Sequence, residues 1–191
     1  MRGRNSYAKL NPWITYRRRV YKEFREKFSS DKLTSVAQLC EDYHQFLYFK
    51  NNLSWTTLYR TGLKALKEPE RLWDFITFIQ DETIDIKKRI NKGLEGELHI
   101  DGIGKNILTA LLHTLYPDKY GIWNKRTEET LEIMRRTPLK GYDLGTKYEA
   151  INERLLQLWE ELDTNLTTID GLMWYVSKRV KPKLDSPFQD Y

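Results

Sequence analysis

The residues best suited to chemistry in this chain are Gly102, Ile103, Gly104, Lys105, Asn106 and Ile107. Two glycines flank one aliphatic residue. Apolar positions Ile107, Leu108, Leu111, Leu112 and Leu115 then follow at helical spacing. Upstream, residues 84–90 also read as helix, so the pattern is helix, tight glycine turn, helix. Glycine permits a positive φ or a backbone with no side chain in the way. The first turn of the second helix would present unpaired N–H groups near Lys105, Asn106 and Ile107 at a bare surface, a setting that suits a phosphate. Lys87, Lys88 and Lys92 on the preceding helix supply further cations for an anionic backbone. A plain helix corner fits the same residues, with Gly102 ending one helix and Gly104 relieving crowding.

An aliphatic residue, Gly, an aliphatic residue, Gly and then a helix resembles the helix-hairpin-helix motif, whose family grips DNA phosphates through backbone amides. The residues that follow, Tyr116-Pro117-Asp118-Lys119-Tyr120-Gly121-Ile122-Trp123-Asn124-Lys125-Arg126, extend the likeness. This layout is similar to that of the helix-hairpin-helix DNA glycosylase superfamily, which includes endonuclease III. The likeness covers roughly residues 84–136. It implies a catalytic carboxylate at position 124 and, in lyase-competent members, a lysine at position 106. Here both positions are asparagine. Asn124 cannot place a negative charge beside a developing cation, a loss that typically costs 10²–10³-fold or more in rate. Asn106 cannot form a Schiff base.

The likeness therefore implies double-stranded DNA binding without base excision. Two alternatives stay open. One is an active DNA N-glycosylase with a displaced acid, Glu128 or Asp118. The other is a helical protein-interaction module, in a repair or defence complex or elsewhere. Tyr120, Trp123 and Asn124 are the candidate lining of a residual pocket, with core packing the other reading of the two aromatics. The family also implies a monovalent cation at the hairpin. No other cofactor and no metal is expected: His99 and His113 are 14 residues apart in sequence, with no cysteine near them.

These residues need helices to hold them. The periodicity predicts helices over 12–28, 33–49 and 55–67, with Pro12 and Ser54 as starting signals, and another from Glu68-Pro69 with Leu72, Phe75, Ile76 and Ile79 inward. On the first, Trp13, Tyr16, Val20 and Phe24 form an apolar face. Arg17, Arg18, Arg19, Lys22, Arg25 and Lys27 form a solvated or phosphate-contacting one. After the hairpin come helices from about Arg126 to Arg136, through Tyr148, Ile151, Leu155, Leu158 and Leu162, and from about Thr167 with Ile169, Leu172, Met173 and Val176 inward. Ile169-Asp170-Gly171-Leu172 echoes the hairpin turn, but Met173 replaces the second glycine, so no second hairpin is expected. No strand pattern emerges. The expected fold is all-α, seven or eight helices in a single domain over residues 11–182. A basic arm (1–10) and a tail (183–191) flank it.

Composition sets wide bounds. The chain of 191 residues is 40% apolar and carries 32 Lys and Arg against 27 Asp and Glu, a net +5. That balance is a mild bias toward polyanions. The single cysteine, Cys40, excludes a disulfide framework and any four-cysteine cluster, and a small apolar role suits it. No apolar run reaches the length of a membrane span. Residues 1–6 lack the apolar core of a secretory signal, which points to a reducing cytoplasmic or nucleoid location.

Overall fold

The computed structural model describes residues 12–29, 33–51, 57–137 and 143–181. Among them the protein is all-helical, with nine α-helices and no strand: α1 (Pro12–Phe28), α2 (Val36–Asn51), α3 (Thr57–Gly62), α4 (Pro69–Gln80), α5 (Ile86–Leu94), α6 (Lys105–Leu115), α7 (Lys125–Ile133), α8 (Leu144–Leu162) and α9 (Leu166–Tyr175). A 3₁₀ turn, Leu63–Lys67, extends α3, and a π-helical turn, Val176–Val180, extends α9. The expected count of seven or eight is therefore low by at least one. The arm, the tail, Ser54 and Gly141 lie outside the described residues.

Helix α6 is the centre of the molecule. Every residue from Ile107 to Leu115 is buried, not just one stripe. Layers formed by α1, α4 and α5 pack against it. Burial of each large aliphatic side chain there contributes about 1.5–3 kcal/mol. Buried polar groups on α6 turn inward to named partners. Thr109 and Thr114 hydroxyls donate to the carbonyls of Lys105 and Ala110, both at 2.7 Å. His113 Nδ1 donates to the Tyr120 carbonyl at 2.8 Å, and its Nε2 meets the Thr167 hydroxyl at 3.1 Å. With both ring nitrogens committed, His113 has none to offer a metal.

The inward residues expected on α4 are all buried, as are Leu39, Tyr43, Phe46 and Leu47 of α2. Cys40 is half-buried against the core. On α1 the apolar face is rotated from the expected one. Tyr16 is exposed, Val20 is half-buried, and Tyr21 and Phe28 join Phe24 in the core. The basic residues of α1 are not one solvated face either. Arg17 binds Asp170 and the Tyr21 hydroxyl, Arg25 donates to the Thr114 carbonyl at 3.3 Å, and Lys27 pairs with Asp42 at 3.3 Å. Leu162, expected inward, is exposed in the last turn of α8. Ile169–Leu172 is continuous helix within α9.

Candidate nucleic-acid interface

The link from α5 to α6 is longer than a tight glycine turn. Helix α5 ends at Leu94, and residues 95–104 pass through two turns before α6 begins. The glycines differ in role. Gly102 has φ +96, and a Cβ on it would lie 2.2 Å from the Thr61 carbonyl oxygen. It is glycine because the backbone is left-handed there and presses on α3. Gly104 has φ −96 and ψ −179, which any residue adopts, and among the described residues no atom lies within 4 Å of a Cβ built on it. Neither glycine fits the plain-corner reading: Gly102 does not end α5, and nothing crowds Gly104.

Gly104 is also the N-cap of α6, with no side chain to close the turn. The helices around it are capped differently. Asp85, Asn124, Asp143 and Asn165 each accept a backbone N–H at the start of α5, α7, α8 and α9, and Pro69 removes one amide at the start of α4. At α6 the Ile107 amide turns back to the Gly104 carbonyl at 3.0 Å. The amides of Lys105 and Asn106 have no acceptor among the described residues. The bare, exposed helix start is therefore two amides wide, one fewer than the sequence pattern implies.

Three helix starts meet beside it. Glu128, in the first turn of α7, accepts from Lys105 Nζ through both oxygens at 2.9 Å, from Lys147 Nζ of the first turn of α8 at 3.2 Å, and from Trp123 Nε1 at 3.0 Å. The two ammonium groups also lie over the Trp123 ring, 4.8 and 5.5 Å from centroids. Partial burial pushes the Glu128 carboxyl up. Hydrogen bonds from Lys105, Trp123 and Lys147 outweigh that, and the net shift is downward. Glu128 is held as an anion, saturated with donors. On the same helix start Lys125 is almost fully exposed, 3.8 Å from Glu129, and Arg126 is exposed. Lys105, Lys125, Arg126 and Lys147 thus stand against Glu128 and Glu129, where the positive ends of three helices converge.

The remaining candidates fall in different places. Asn124 caps α7, its Oδ1 accepting from Arg126 and Thr127 amides at 2.9 and 3.1 Å. Asn106 is half-buried in the first turn of α6, and Ile103 is buried. Trp123 is 1% exposed and stacks on Tyr148, so it is a core residue, not the wall of an open pocket. The Tyr120 hydroxyl receives Arg89 Nη2 at 2.5 Å and its ring packs on Tyr116, so it too is engaged within the fold. Asp118 is exposed in the loop after α6. Lys87 pairs with Glu149 at 3.1 Å, and Lys92 pairs with Glu97. Lys88 is exposed and has no acidic partner among the described residues. Lys147 is the addition that the sequence reading missed. Its distance in sequence from the hairpin hides it, and only the packing of α8 on α5 brings it in. Among the described residues no group of His, Cys, Asp and Glu could hold a metal ion, and no helix is long and apolar enough to cross a membrane. No family model, curated protein or solved structure matches the chain.

Proposed function

We propose that the protein binds double-stranded DNA through its phosphate backbone, on a helix-hairpin-helix scaffold like that of the DNA glycosylases but without their base-excision chemistry. The observation that carries this reading is Gly104. It has ordinary extended dihedrals, free space where a side chain would stand, and a helix start behind it with two unaccepted amides. Packing gives no reason for a glycine there, whereas close approach of a phosphate does. The cations around α7 add an electrostatic field with no base selectivity. The family's catalytic positions hold Asn106 and Asn124, and Asn124 Oδ1 is spent on capping α7. No charge therefore faces a departing base from either position.

Fluorescence anisotropy of labelled duplexes, intact and abasic, at several salt concentrations tests the reading beside a Gly104→Asp variant. Wild-type affinity should fall steeply with salt, and the variant should bind at least tenfold more weakly because its carboxylate occupies the two amides. Equal binding by the variant would remove the hairpin from the account. Base release from damaged duplexes would overturn the absence of excision.

A further inference from the structure

We propose that Tyr48, braced by Phe49 and Tyr59, is a stacking surface for an unpaired base of the same DNA. This inference rests on the phosphate-gripping hairpin proposed above. Tyr48 and Phe49 close α2 with 53% and 37% of their surfaces exposed. The Tyr48 ring meets Phe49 edge-on at 5.9 Å and Tyr59 edge-on at 6.4 Å. Tyr59 is itself fixed by His44, whose Nε2 lies 2.7 Å from its hydroxyl. Phe49 is anchored on the core ring of Phe24 at 5.7 Å. Tyr48 is thus a rigid, half-exposed ring on a built support, which lowers the entropy lost when a planar ligand lands on it.

The position names the occupant. Thr61, two residues after Tyr59 on α3, supplies the carbonyl that Gly102 presses against. Lys64, one turn further, pairs with Asp101 at 3.0 Å. The aromatic cluster and the hairpin turn therefore share α3 and its 3₁₀ extension as a common wall. A strand whose phosphate sits on the Lys105 and Asn106 amides has its neighbouring nucleotides beside that wall. Arg60 is exposed on α3 next to Tyr59, and suits the backbone of such a strand. The exposed apolar surface here is aromatic: among the described side chains of α2, α3 and the hairpin, no large aliphatic one is exposed with it. A helix-binding or strand-binding groove would present aliphatic side chains. Isolated rings with polar tips suit bases, each of which has a π face.

The test compares a blunt duplex with the same duplex carrying a short single-stranded adenine extension that contains 2-aminopurine. The extended duplex should bind about tenfold more tightly, the effect of stacking one base, and its 2-aminopurine emission should be quenched on binding. Tyr48→Ala should erase both the gain and the quenching while leaving blunt-duplex affinity within about twofold. Tyr48→Trp should preserve both. A melting curve checks that the variants fold, as a half-exposed site allows. Equal affinity for the two duplexes, or a gain that survives Tyr48→Ala, would overturn the stacking surface and leave the hairpin reading intact. Blunt-duplex binding indifferent to Gly104→Asp would instead mark failure of the hairpin reading, and this inference would fall with it.

Discussion

Glu128 is the residue on which competing readings of the site make opposite predictions. Its carboxylate receives Lys105, Lys147 and the Trp123 indole, and so neutralises the two lysines nearest the bare start of α6. In a protein that grips phosphates, Glu128 is an internal competitor for those cations. Glu128→Gln keeps an acceptor for Trp123 Nε1 and removes the charge. Duplex affinity should then rise severalfold at low salt. The slope of log K against log salt should steepen by about one to two, as up to two more lysines reach phosphates. In a glycosylase using Glu128 as its acid, the same change would abolish base release and leave binding unimproved. Gly104→Asp makes a second sign test. The dihedrals at 104 suit a capping aspartate, and the carboxylate would meet both unaccepted amides and the helix dipole. Chemical denaturation should show a gain of about 0.5–1 kcal/mol in stability, beside the loss of DNA binding. A variant that is more stable yet binds less separates a glycine kept for a ligand from one kept for the fold.

The elements were legible where one face is apolar and the ends carry signals. Helix α1 matches the expected span, and the four inward residues of α4 are those its period picks out. Legibility failed for two physical reasons. A helix buried all round has no stripe to read, so α6 looks amphipathic in sequence but is central in the fold. Helix ends are set by neighbours as much as by period, so Leu162 is exposed and Tyr21 is buried. The hairpin glycines were visible as residues, but their division of labour was not, because it depends on Thr61 in a distant element. Lys147 was invisible for the same reason. It is delivered by the contact of α8 with α5, where the Gly145 Cα passes so close to α5 that a Cβ would lie 2.3 Å from the Lys87 carbonyl oxygen. Asn91 fastens the crossing, accepting the Gly145 amide at 2.7 Å and donating to Asp143 at 2.6 Å. Gly145→Ala should push the two helices apart, costing about 1–3 kcal/mol in a urea melt. It should also weaken the hold of Lys147 on Glu128. An unchanged melt would show that the crossing is slack and that Lys147 reaches the site by its own length.

At the scale of the whole molecule, carboxylates that fasten elements to one another set how the protein responds to acid. Asp143 is lowered to about 2, first by the hydrogen bond from Asn91 and then by the Thr146 amide and hydroxyl at the start of α8. Asp101 is lowered by Lys64, which ties the hairpin turn to the 3₁₀ extension of α3. Glu161 is lowered by Arg136, which ties α8 to the segment after α7. A carboxyl whose folded pKa lies below its unfolded value binds more protons when unfolded. Its contribution is complete above the unfolded pKa, near 4, and is lost as pH falls through the folded one. These groups therefore predict a loss of stability between about pH 4.5 and pH 2. The protein is basic to begin with, at net +5, so each neutralised carboxylate also adds to self-repulsion in the compact state. Urea midpoints measured by circular dichroism should fall across that window. Asp143→Asn separates the two effects, because asparagine is also a good N-cap and keeps α8 started while removing one titrating group. Its midpoint should lie below the wild-type value at neutral pH and converge on it near pH 2. A constant offset at every pH would mean that the Asp143 charge contributes nothing to the fold and that its hydrogen-bond geometry alone matters.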